Sequence, residues 1–219
     1  PVFRPFHPHR AGSFGEAGRF SGAYAFYERY RAVWRREMAA NADAVAPAAD
    51  MDDIRANTAA GRISAVLSVE DAAALEGRLE RVDELYADGV RLMTLTWNHE
   101  NELACPHAAE PERMRRGLKP FGVEVVRRMN ELGMIVDVSH LSDGGFADVA
   151  RVSSAPFVAS HSCARSLSGH TRCLTDAQLR ILGDKGGEYR RGQNIVGGQG
   201  LPLGKTRPQK LEQVAHQHH

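Results

Sequence analysis

Along the chain, short apolar runs alternate with stretches of helical spacing, and several of the runs stop abruptly on a histidine or a carboxylate. From roughly Arg19 to Ala40, Tyr27, Tyr30, Val33, Trp34 and Met38 recur among arginines and glutamates, which predicts an amphipathic outer helix. Asp50 to Ala60 predicts a second helix, closed by Gly61. Arg62 to Glu70 reads as one strand ending on a carboxylate, followed by a helix with Leu75, Leu79, Val82, Leu85 and Tyr86 on one face. Gly89 stops that helix, and Val90 to Trp97 is the next strand, running into Asn98 and His99. After a polar loop from Glu100 to Arg116, Gly117-Leu-Lys-Pro120 opens a helix with Phe121, Val125, Met129 and Leu132 inward, which Gly133 closes.

The next two runs organise the rest. Gly133-Met-Ile-Val-Asp-Val-Ser-His140 and Pro156-Phe-Val-Ala-Ser-His161 both have strand character and both end on histidine, 21 residues apart, with a helix over about Asp143–Val152 between them. Parallel strands joined by single crossovers point the same way, so both imidazoles are expected on one edge of the sheet, the edge where α/β enzymes carry their chemistry. Thr175 is expected to cap a further short helix. Four successive helix and strand units predict an α/β fold with a parallel sheet. The pattern lapses after Gly186-Gly187, so residues 1–18 are expected to be an irregular segment, 19–187 the folded domain, and 188–219 a tail without periodicity, expected to be disordered.

Composition narrows the partner. The 219 residues are 42% hydrophobic and 25% charged, with a formal net charge of +1 from interspersed signs, which argues against nucleic acid and against an anionic membrane surface. No apolar run approaches the ~18–20 residues of a membrane span. Cys105, Cys163 and Cys173 are odd in number and lack CxxC spacing, so no disulfide framework is expected and the default compartment is cytoplasmic. A small molecule is the expected partner.

Glu70, His140 and His161, converging from successive strand ends, form a borderline-soft donor set that suits zinc. A carboxylate can bridge two cations about 3.5–4 Å apart, and a hydroxide between them is a strong nucleophile at neutral pH. His7-Pro-His9 has a metal-binding spacing without the preceding strand such a motif needs, and His216, His218 and His219 read as adventitious binders in a structureless tail.

Four stretches in order, Gly89-Val-Arg-Leu-Met-Thr-Leu-Thr, Gly117-Leu-Lys-Pro-Phe-Gly122, Met129 through His140, and Ser160-His-Ser-Cys-Ala-Arg165, resemble the membrane dipeptidase (renal dipeptidase) family of zinc metallopeptidases in its bacterial branch. The resemblance runs from about Arg19 to Gly187 and implies a (β/α)8 barrel that hydrolyses dipeptides, often with a C-terminal D-residue. It implies that Glu70 bridges two zinc ions, that His140 and His161 bind the second of them, and that Arg172 docks the substrate carboxylate. Guanidinium suits that last task because its fork pairs with carboxylate at two points. The substrate-facing histidine of the family is replaced here: Thr96-Trp97-Asn98 stands where Thr-His-Asn is common, with His99 two residues on, and Cys173 stands where asparagine is usual.

The family's first-zinc His-x-Asp and its late catalytic aspartate find no counterpart. The expectation is therefore a partial barrel, about four of eight β/α units, with little or no dipeptidase activity of its own. Two alternatives stay open: a non-catalytic scaffold that forms a homo-oligomer through open sheet edges, and a mononuclear amidohydrolase or deaminase on the same fold.

Overall fold

A computed structural model describes residues 22–187. His7, His9 and the histidines of the tail lie outside the described residues, as do the expectations for segments 1–18 and 188–219.

The first helix, α1 (Ala23–Ala40), buries Tyr27 and packs Trp34 against the core, while Tyr30, expected on the same stripe, is 47% exposed. Tyr27 donates to Asp88, which also pairs with Arg31 and Arg35, so this helix is tied to the chain ahead of the second major strand by charge as well as by packing. A three-residue strand, β1 (Val45–Pro47), follows, and then α2 (Met51–Ala59), whose N-terminal amides are capped by the Asp50 carboxylate.

The single strand expected over Arg62–Glu70 is two. β2 (Ile63–Ala65) pairs in parallel with β1, whereas β3 (Leu67–Glu70) pairs in parallel with β4 (Val90–Thr94), and the chain passes from one pairing to the other at Val66 with a register shift just beyond. The helix expected after Glu70 is also broken. A 3-10 turn over Ala72–Leu75 ends where Glu76 and Gly77 take left-handed backbone, and α3 (Glu80–Ala87) begins afresh.

From β4 the expected alternation holds, with α4 (Pro111–Met114) a short turn in the loop and α5 (Pro120–Leu132) leading to β5 (Ile135–Asp137). Pro120 stands in the first turn of α5 and Gly133 closes it in left-handed conformation. β5 pairs in parallel with β4, giving the strand order β3-β4-β5. The run Pro156–His161 carries bridge residues at Val158 and Ala159, the first paired in parallel with Asp137, and among the described residues does not form the strand expected of it. Proline at its start offers no amide to the ladder, and the run bends over the site two residues after the bridge.

Helix α6 (Asp143–Val152) is capped by Ser142, a short turn α7 (Arg165–Ser168) follows, and α8 (Asp176–Asp184) opens with a full capping box between Thr175 and Gln178. Helices α3, α5, α6 and α8 pack in sequence beside the sheet. One continuous core results, in which Val82, Leu85, Val125, Met129, Phe146 and Leu182 of the helices meet Val90, Met93, Leu95 and Val136 of the strands. The architecture is α/β with parallel sheets. No helix among the described residues is long and apolar enough to cross a membrane.

Candidate metal centre

The sheet delivers its polar strand ends to one edge. Glu70 is the last residue of β3, His140 follows β5 by three positions, and His161 lies three beyond the bridge at Val158. The structure brings these side chains together: His140 Nε2 is 2.9 Å from His161 Nε2, and Glu70 Oε1 lies 3.1 Å from the second and 3.2 Å from the first. Among the described residues this is the one group of three or more potential ligands that could hold a metal ion.

The neighbours decide where the protons sit. Asp137 is fully buried and its carboxylate accepts from the Thr94 hydroxyl at 2.7 Å and the Ser160 hydroxyl at 2.5 Å, as well as from the amides of Ser139 and Ser160. Ser160 therefore spends its one proton on Asp137, and its oxygen, 2.6 Å from His161 Nδ1, accepts the imidazole proton. On His140, Nδ1 faces Asn98 Oδ1 at 3.1 Å and donates to it. Both Nε2 atoms are thus left as acceptors, that of His140 facing Arg172 Nη2 at 2.7 Å. Three acceptor atoms converge, an arrangement that a cation among them would relieve and that the Arg172 guanidinium relieves at His140 alone. The donor set fits a divalent metal ion.

Electrostatics point the same way. Burial alone would raise the Glu70 carboxyl, but the two imidazoles beside it, which favour its charged form, outweigh burial and hold it at about 2. Burial pushes His140 below the usual histidine range, which keeps it neutral and ligand-competent at pH 7. Its backbone has φ of 69°, an uncommon conformation for a residue other than glycine and one found at functional sites. Arg172 lays its guanidinium along the same ring, with Nη2 2.7 Å from His140 Nε2. Burial lowers the Arg172 pKa, and no carboxylate among the described residues reaches salt-bridge distance of it. It is a half-buried cation in want of an anion.

The remaining expected site residues sit around this centre in other roles. Asn98 contacts His140 and holds its ring. The Trp97 ring is 6.0 Å from His140, and the exposed His99 ring lies 6.1 Å from Trp97, tilted by 56° to it. Sequence reasoning passed over His107, whose ring lies 6.2 Å from His140 and 5.5 Å from His170, and whose amide donates to the His140 carbonyl at 2.7 Å. Burial, with the neighbouring His140, His170 and arginines, lowers His107 to about 4. Only its place in a loop between polar residues was visible in the sequence. The part of Ser160 was also missed, although a serine directly before a candidate ligand is a readable signal. A cavity of about 300 Å³ opens on the sheet side of the centre, lined by Val66, Ser68, Glu70, Leu92, Thr94, Ser160 and His161.

Comparison with known proteins matches residues 23–188 to the family described as membrane dipeptidase, peptidase family M19. The chain belongs to the membrane dipeptidase family. An uncharacterized dipeptidase of Schizosaccharomyces pombe is 37% identical over 128 residues, which is 58% of this chain and 31% of that protein. Among solved structures, the probable dipeptidase PvdM of Pseudomonas aeruginosa superposes with a TM-score of 0.71 at 29% identity, covering 76% of this chain and 44% of that one. A metallo peptidase of Rhodobacter sphaeroides, solved with a phosphinate mimic of the dipeptide L-Ala-D-Ala, gives 0.65 at 29% identity, covering 75% and 47%. The chain spans about a third to a half of the length of these membrane dipeptidase relatives.

Proposed function

We propose that this chain carries the zinc-binding and carboxylate-docking part of a dipeptidase centre, built on about four units of a (β/α)8 barrel, and that its substrates are dipeptides, including those with a C-terminal D-residue. The observation that carries the reading is the meeting of three lone-pair atoms from Glu70, His140 and His161. Zinc takes imidazole nitrogen and carboxylate oxygen at about 2.0–2.2 Å in a tetrahedral array, so donors around it stand roughly 3.3 Å apart, close to the spacing here. The chemistry such an ion supplies is activation of water at neutral pH and polarisation of a carbonyl.

The chain's own residues set the frame. Asp137 and Ser160 orient His161, Asn98 orients His140, and Arg172 waits within reach of the centre for the terminal carboxylate of a peptide. The Rhodobacter relative's bound L-Ala-D-Ala mimic supports a D-residue at that end. One donor group rather than two among the described residues supports weak or absent turnover by this chain alone.

The test is zinc stoichiometry by equilibrium dialysis. One tightly held zinc per chain, lost in Glu70→Gln, supports the reading; a folded wild-type protein that ignores micromolar zinc rejects it.

A second reading has its own observation. The face of the sheet that lines the cavity leaves Val66 49% exposed, although parallel sheets are ordinarily covered on both faces. That face supports self-association into a homo-oligomer, with or without catalysis.

A further inference from the structure

Arg172 stands in the segment between α7 and α8, a stretch without regular structure, yet its guanidinium is held to one ring. What fixes it is a second arginine. Arg165 donates from Nε to the Cys173 carbonyl at 2.7 Å and from Nη2 to the Thr171 carbonyl at 3.1 Å, so the carbonyls of the two residues that flank Arg172 are both pinned to one guanidinium. The same guanidinium makes a two-point pair with Asp143, at 2.6 and 2.8 Å. Four hydrogen bonds thus leave a group that has five N–H donors. Asp143 opens α6, and it accepts in addition from Gln178 Nε2 at 2.9 Å, the residue that completes the capping box of α8.

We propose that Arg165 and Asp143 are positioning residues for Arg172: a charged clamp, anchored at the N-terminal ends of two helices, that holds the backbone around Arg172 so that its guanidinium stays against the metal centre. A fully exposed ion pair contributes little to stability. This pair is only partly exposed, and it spends its other donors on carbonyls that bracket a single residue, which is the signature of orientation more than of bulk stabilisation. The proposal rests on the reading that Arg172 receives the substrate carboxylate, but the clamp itself can be tested without substrate.

The experiment follows Arg172 directly, in the full chain, by its rate of modification with phenylglyoxal, read by peptide mass spectrometry. Arg165→Gln and Asp143→Asn are each expected to speed modification of Arg172 about tenfold, the worth of one charge-assisted hydrogen bond. Zinc affinity should stay within about twofold of wild type, since neither residue touches a proposed ligand. Arg165→Lys, which keeps the charge and loses the fork, should fall between. An unchanged Arg172 rate in either variant overturns the clamp, as does a loss of zinc affinity in parallel with the faster rate, because that marks general loosening. Should Arg165→Gln fail to fold, Asp143→Asn decides alone, since it keeps size while removing the charge and one of the two acceptor oxygens. Binding of a dipeptide ending in D-alanine is measured alongside. If zinc-loaded wild type does not bind it while the modification rates behave as expected, the clamp stands and the substrate reading of Arg172 falls.

Discussion

Ser160 places its hydroxyl 2.6 Å from His161 Nδ1 while giving its own proton to Asp137 at 2.5 Å, so a buried carboxylate fixes, through one serine, which nitrogen of His161 faces Glu70. Removing the serine frees the ring to take either tautomer. Ser160→Ala is therefore expected to bind zinc about 10–100-fold more weakly than wild type, measured by competition with a chromophoric chelator, with its far-ultraviolet circular dichroism unchanged. A loss of less than threefold would mean that His161 is oriented by packing alone.

The depressed pKa of His107 makes stability depend on pH. Above 6.5 the ring is neutral in both folded and unfolded chains and contributes nothing; as pH falls from 6.5 toward about 4 the unfolded chain takes up a proton that the folded chain refuses, and stability drops. Urea unfolding between pH 7.5 and 4.5, with chelator present so that metal release does not enter, should show wild type losing more stability than His107→Gln. Parallel pH profiles for the two proteins would show that the burial of this imidazole is not felt.

Close backbone approach gives a prediction of stability. A Cβ on Gly122, inside α5, would lie 2.3 Å from the Leu103 carbonyl oxygen, whereas one on Gly183, inside α8, would meet nothing within 4 Å. Gly122→Ala should cost about 1–3 kcal/mol as overpacking. Gly183→Ala should gain roughly 0.5–1 kcal/mol from helix propensity. Thermal unfolding of the two variants should move the midpoint in opposite directions.

Val66 tests the exposed sheet face. Size-exclusion chromatography with light scattering is expected to find wild type above the mass of a single chain at tens of micromolar, and Val66→Lys shifted toward monomer. A monomeric wild type at that concentration would remove the self-association reading and leave the metal centre untouched.

The parts of this molecule that could be read from its sequence share a cause. β4, α5 and α6 are strongly patterned, β5 lies within the apolar run that ends on His140, and the punctuation Pro120 and Gly133 is local chemistry that acts where it is written. Glu70, His140 and His161 were legible because a polar residue at the end of an apolar run has one place to go in a parallel sheet. β1 was not, since Val45-Ala-Pro47 sits among alanines with no longer apolar run around it. The change of partner at Val66 was hidden because β2 and β3 are equally apolar and differ only in which strand each meets. The Arg165 pair with Asp143 joins residues 22 apart through side chains alone, which no spacing rule encodes.

The left-handed backbone of His140 bears on how the centre can change over time and at the bench. Two separate demands fall on one codon, a ring nitrogen for a cation and a residue that tolerates φ of 69°. β-Branched side chains are disfavoured by the second before the first is asked, so drift at this position is confined to a narrow set. Asparagine meets the backbone demand and fails the chemical one. It is the replacement that separates loss of a ligand from distortion of the turn that presents it.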